Sequence, residues 1–205
     1  AVLSNNNSAL GVKASQLDRD FSRGGTVWWM PTTHEFGPRG AYGDWEWHEE
    51  VATRFGFSTF FSPEQSFADA GNNPANTTLR LADSVNLFEP GSLAPGVTIA
   101  NSDYSVYSVD AGVKYKGFFL QAEYYKRRLS NFDANGFLPV TRIDDEGFYV
   151  QGSFFPIPKK LEIYAATSQI YGDESAGFGD SSEYLVGANY YPFPTRNHRL
   201  NLQVM

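Results

Sequence analysis

The sequence predicts an all-β fold, a transmembrane, antiparallel, up-and-down β-barrel of which this chain forms a part. Three observations predict it. From Tyr104 onward, apolar and polar residues alternate with a period of two through six consecutive segments, the spacing at which side chains share one face of a strand. Several of the apolar faces begin and end in Tyr, whose apolar ring and polar tip suit the boundary between hydrocarbon and water. The connections alternate short and long, as they do where short periplasmic turns and longer extracellular loops join barrel strands.

Each element follows from the same reading. Gly25 to Met30 is a candidate strand, and Pro31 to Asp44 is rich in turn residues. Val51, Thr53, Phe55, Phe57, Thr59 and Phe61 then face one way, with Ala52, Arg54, Gly56 and Ser58 behind them. Residues 62–103 form one long excursion, extracellular or folded into a pore, of a length unusual without a job. Within it, Thr78 to Phe88 suits a short hairpin. Tyr107, Val109, Ala111, Val113 and Tyr115 make the next apolar face. A tight Lys116-Gly117 turn leads to Phe118, Leu120, Ala122 and Tyr124. The polar stretch Ser130 to Glu146 reads as a loop before Phe148, Val150, Gly152 and Phe154. After the Pro156 to Lys159 turn come Leu161, Ile163, Ala165 and Thr167, then a Gly/Asp/Ser-rich loop from Gly172 to Ser182. Tyr184, Val186, Ala188 and Tyr190 precede the Pro192 to His198 turn and the last strand, Leu200, Leu202 and Val204.

Composition narrows the function classes. The 205 residues include no cysteine, which removes disulfides and thiol chemistry. A net charge of -7 with only two short basic runs, Lys126-Arg127-Arg128 and Lys159-Lys160, argues against a nucleic-acid partner. No stretch approaches the roughly 20 apolar residues of a membrane helix, whereas a barrel strand needs about 9 to 11 with every second one apolar. Ala1 to Leu10 lack the charged start and apolar core of a signal peptide. Seven or eight strands cannot close in lipid, where each unpaired edge group costs several kcal/mol. The expectation is therefore a single barrel domain, of which residues 1–205 are a part, continuing in a longer chain or completed by further copies.

The segment Met30 to Arg54, with Pro31-Thr32-Thr33, Glu35-Phe36-Gly37-Pro38-Arg39-Gly40, Gly43-Asp44 and Ala52-Thr53-Arg54-Phe55-Gly56, resembles a family of Gram-negative outer-membrane porins. Ser92-Leu93-Ala94-Pro95-Gly96-Val97 and Asp110 to Gly117 share the resemblance. Members are grouped loosely with phosphate-selective porins. The resemblance implies a homotrimer of barrels of about 16 strands in contact with outer-membrane lipid and lipopolysaccharide. It also implies passive diffusion of small hydrophilic solutes or ions, with no cofactor and no enzymatic step. Phosphate selectivity is not implied, because no arginine ladder or lysine cluster aligns here.

Strand parity supplies the candidate pore-lining charges: Arg54, Lys114, Arg127 and Arg199 against Asp110, Glu123, Glu162 and Glu183. Four against four gives no preference for either sign, and pairs such as Lys114 with Glu123 are expected to satisfy each other. Arg80, Asp83 and Glu89 would face solute if the long excursion forms a constriction. Tyr107, Tyr115, Phe118, Tyr124, Phe148, Phe154, Tyr184 and Tyr190 are the expected lipid-interface aromatics. The acidic runs Asp144-Asp145-Glu146 and Asp173-Glu174 are expected in solvated outer loops, where carboxylates could also share divalent cations with lipopolysaccharide phosphates.

His34, His48 and His198 lack metal-ligand spacing, and Gly37 to Gly40 is no phosphate loop. Two other functions are weighed. One is a barrel that anchors other envelope proteins. The other is a lipid-hydrolysing enzyme, which would need His48 or His198 beside a serine such as Ser58 or Ser182.

Overall fold

The computed structural model describes residues 2–5, 21–32, 36, 43–66, 79–193 and 195–205. Nine strands are present among them: β1 (Val2–Asn5), β2 (Phe21–Trp29), β3 (Ala52–Gln65), β4 (Ile99–Tyr115), β5 (Phe118–Ala134), β6 (Arg142–Ile157), β7 (Leu161–Tyr171), β8 (Ser181–Tyr190) and β9 (Leu200–Val204). Each pairs antiparallel with its chain neighbours, in the single order β1 to β9, the up-and-down connectivity that strand alternation predicts. The strand at Val2–Asn5 is one that the residue pattern does not reveal.

The turns are set by local chemistry. Lys116 and Gly117 both take positive φ, 46° and 81°, between the paired residues Tyr115 and Phe118. That is the two-residue hairpin turn whose twist matches the strands it joins. Gly117 is also needed for space, since a Cβ there would strike the Trp47 ring. Lys159, at φ 55°, turns the chain between Ile157 and Leu161.

Strands β4, β5 and β6 run further than alternation indicates, so two expected boundaries move. The polar stretch from Ser130 to Glu146 is mostly strand, leaving only 135–141 as connection. The ends of the 62–103 excursion lie inside β3, which runs to Gln65, and β4, which begins at Ile99. The reason lies in pairing. Lys126 faces Glu146, Arg127 faces Asp145 and Arg128 faces Asp144 across β5 and β6, so a run of charges that resembles solvated loop is a ladder of opposite charges.

Near the end of β5 the register slips: Ser130 pairs Asp103 and Asp133 pairs Asn101, with Asn131 at φ 55°. This is a bulge of one extra residue, which reverses parity beyond it. Phe132 and Ala134 thereby turn toward a core of Leu81, Leu87, Phe88, Ile99, Leu129, Ile143 and Phe178. That core joins the β3–β4 connection to the ends of β4, β5 and β6 that lie away from the Lys116-Gly117 turn.

Candidate functional site

Register carries one apolar face through the sheet. Val27 lies opposite Phe57, Phe57 opposite Val109, Val109 opposite Tyr124, and Tyr124 opposite Phe148. Another row runs Tyr115, Phe118, Phe154, Ile163, Ala188 and Leu202. Large side chains on this face are exposed: Val27 by 71%, Tyr184 by 65% and Leu202 by 77%. An apolar face spanning eight strands far exceeds the few hundred Å² that a protein surface in water normally leaves open. Seven of the eight expected interface aromatics are among the exposed residues of this face, and Phe148, partly exposed, packs on Tyr171 with ring centroids 6.3 Å apart.

From the Tyr107 row onward the same face becomes charged. Lys126 lies 3.9 Å from Glu146, and Asp144 receives Arg128 at 2.7 Å and Arg142 at 3.1 Å. The Asp144 to Glu146 run is thus strand rather than loop, and each of its carboxylates has a partner. Asp145 points the other way to Arg127. Asp173 does sit in a loop, where it caps the short 3-10 turn Glu174–Ala176. Burial works to raise its carboxyl, but hydrogen bonds from Ser175 and from the Asp144 and Ala176 amides hold it below the usual range.

The opposite face is polar. One row reads Trp28, Gly56, Asp110, Glu123, Tyr149, Ser168 and Glu183 across seven strands. Arg54 reaches diagonally to the Asp110 carboxylate. Gly56 makes that reach possible, since Asp110 lies flat over it and a Cβ there would collide with the carboxylate. Thr26, Trp28, Met30, Arg54, Ser58, Asp110 and Glu123 line a cavity of about 370 Å³. A smaller one, about 170 Å³, is lined by Tyr149, Gln151, Tyr164, Ala166, Thr167, Ser168, Glu183 and Leu185.

Both ends of this polar face are covered. At the short-turn end, Phe36 packs on Phe119, and Trp45 packs on Phe155 and Tyr191. Asp44, fully buried, accepts hydrogen bonds from the Gly117 amide at 2.8 Å and the His48 amide at 3.1 Å, and pairs with the His48 ring. This pins 43–48 to the β4–β5 turn. Asp44, Glu46 and His48 come close enough to share an ion, a grouping that sequence spacing did not suggest, but the buried Lys114 ammonium faces the same two carboxylates. At the other end the β3–β4 connection lies on Leu129 and Ile143, and Arg127 donates to the Arg80 carbonyl at 2.6 Å.

The eight parity-derived charges therefore differ in circumstance. Arg54 and Asp110 neutralise each other. Arg127 pairs with Asp145, a residue parity had assigned to a loop. Lys114 does not pair with Glu123: it is fully buried beneath the rings of Phe36 and Phe119, 5.0 and 5.7 Å away, and its Nζ has no hydrogen-bond partner. Glu162, buried, accepts from Asn189 at 2.9 Å and Tyr191 at 3.1 Å. Burial and the Glu162 charge push the Tyr191 hydroxyl up to about 12, against the opposing pull of Arg199, so it remains a donor. Glu123 is partly exposed, and Glu183 and Arg199 are exposed.

In the long connection, Arg80 bonds the Ser84 carbonyl at 2.6 Å, Asp83 accepts from the Val85 amide at 3.0 Å, and Glu89 is exposed. Among the described residues, neither His48 nor His198 is shown bonded to Ser58 or Ser182. Ser58 bonds Thr26, His48 bonds Asp44, and His198 packs edge-on against Phe193. His34 and Gly37 to Gly40 lie outside the described residues.

A model of the family described as phosphate-selective porin O and P matches residues 76–205. The chain belongs to that family. No curated protein and no solved structure matches it. The porin is accordingly a passive-diffusion transport protein of the bacterial outer membrane rather than an enzyme, in a setting of outer-membrane lipid and lipopolysaccharide. Its antiparallel sheet is consistent with part of a porin barrel.

Proposed function

We propose that the polar face is the wall of a water-filled diffusion path and the apolar face its lipid contact. In this reading the nine strands form part of a barrel of about 16, and the barrels assemble as a homotrimer. The observation that carries it is the unbroken register of exposed apolar side chains across the sheet, backed by a polar row with two cavities. Such a surface is tolerable in hydrocarbon and not in water.

The ladder of ion pairs from the Tyr107 row onward then marks where the outward face leaves the membrane on the extracellular side. The turn at Lys116-Gly117 is periplasmic. Residues 79–98 of the connection fold onto the wall at the outer mouth, with Arg80, Asp83 and Glu89 beside the entering solute. Their packing on Leu129 and Ile143 supports that placement. The eight aromatics anchor the two interfaces.

Reconstituting the full-length protein in planar bilayers tests the reading. Stepwise conductance, with a trimer by chemical cross-linking, is the expected result. A folded, membrane-inserted protein that never conducts would favour an anchoring barrel instead.

A further inference from the structure

We infer that the wall built by this chain prefers cations, and that Glu123 and Glu183 set the preference. This rests on the polar face being the wall of the path. The inference departs from a simple count of charges because burial and pairing remove the two signs unequally.

The positive charges are withdrawn from the open surface. Lys114 is fully buried under two phenylalanine rings and faces Asp44 and Glu46. Arg127 is bound to Asp145 and to the carbonyl of Arg80, beneath the long connection. Arg54 is bound to Asp110 through both Nε and Nη2. Arg196 pairs with Glu46 at the short-turn end. Arg199 is exposed, but it lies next to β9 at the same end, where it meets Tyr191.

Of the three carboxylates in the central row, only Asp110 is matched in this way, by Arg54. Asp110, Glu123 and Glu183 lie in one row of the register, with Glu123 one strand from Asp110. Glu183 lies three strands beyond Glu123, about 14 Å at ordinary strand spacing. Among the described residues, the larger cavity is lined by one cation and two carboxylates, and in the smaller one Glu183 is the only charged lining residue. No ion pair joins Glu123 or Glu183 to a cation among the described residues. An ion crossing midway between the two covered ends therefore meets a net negative wall.

Two uncompensated carboxylates about 8 Å from a passing ion, screened as at about 0.1 M salt, favour a monovalent cation over a monovalent anion roughly fivefold. Neutralising either one should lower that ratio about twofold. Because the charges are fixed in the wall rather than gathered into a binding pocket, they bias a flux without holding the ion.

The test is the reversal potential of full-length protein in a planar bilayer under a tenfold KCl gradient, for the native chain, Glu123→Gln, Glu183→Gln and the double variant. Glutamine keeps the side chain's shape and a polar surface, and heat-modifiable mobility on gels confirms that each variant folds. The expected result is a cation-side reversal that moves stepwise toward zero in the variants, with Lys126→Gln, on the opposite face of β5, leaving it in place. Conductance with an anion-side reversal, or variants indistinguishable from the native chain, would overturn the inference while leaving the diffusion path intact. A folded protein with no conductance would overturn the path itself, and the inference with it.

Discussion

Replacing Phe88 with alanine should loosen the cover that the β3–β4 connection lays over the polar face. Phe88 is 1% exposed and packs with Leu81 and Leu87 from the connection against Ile99, Leu129, Ile143 and Phe178. Burying the three side chains from the connection contributes about 2 kcal/mol each, about 6 kcal/mol together as an upper bound. Truncating a packed Phe to Ala costs about 3–5 kcal/mol, half or more of that hold. What remains is the burial of Leu81 and Leu87 and the Arg127 bond to the Arg80 carbonyl, about 1.5–3 kcal/mol for a charged donor, set against the entropy of ordering the segment. The cover should then be detached for a measurable fraction of the time, while the strands, held by their own ladders, stay paired. Single-channel recording of the full-length variant is the assay: a larger, noisier conductance with unchanged gel mobility is expected. Phe137→Ser, at a position 87% exposed on the β5–β6 connection, should change nothing. If Phe88→Ala leaves both conductance and protease sensitivity of the connection at native values, the cluster does not hold a cover over the path.

Two further substitutions probe the sheet. Val109→Arg places a charge within the exposed apolar face and should cost about 2–4 kcal/mol of membrane stability, read as lost insertion into vesicles; Ser108→Arg, on the other face of the same strand, should insert normally. Lys114→Met removes a buried ammonium that lacks a hydrogen-bond partner and replaces it with an apolar chain of similar length. It should leave stability unchanged or raise it by about 1–3 kcal/mol, measured as the temperature at which the folded gel band is lost; a drop of several degrees would show that attraction to Asp44 and Glu46 outweighs the cost of burying the ammonium.

How much of this was legible in the residues depends on what wrote the pattern. Val109 and Tyr124 obey a period of two because one face meets a single apolar medium, so the central strands could be read directly. Arg128 and Asp144 hid the upper strand ends, because a charge opposite a charge satisfies itself without alternating in polarity, and such a run looks like loop. The bulge at Asn131 was equally hidden: one residue at positive φ reverses parity for Phe132 and Ala134 without a glycine to announce it.

Of the charges, parity placed the central ones on a common face but could say nothing of their partners. Arg54 and Asp110 are 56 residues apart, and only register brings them together. That Lys114 lies under Phe36 depends on a segment from outside the sheet folding back onto it. A count of eight charges treated as equals therefore balances, whereas the same charges sorted by burial and pairing do not.

The central claim is that one face of the sheet meets lipid and the other meets water. The sequence has no cysteine, so single substitutions Ser108→Cys, Val109→Cys, Leu120→Cys and Gln121→Cys each introduce one thiol for a water-soluble, membrane-impermeant reagent. In reconstituted membranes, Ser108→Cys and Gln121→Cys should label rapidly and Val109→Cys and Leu120→Cys should stay protected until detergent is added. Equal labelling at all four positions, or protection of the Ser108 and Gln121 sites alone, would contradict the account.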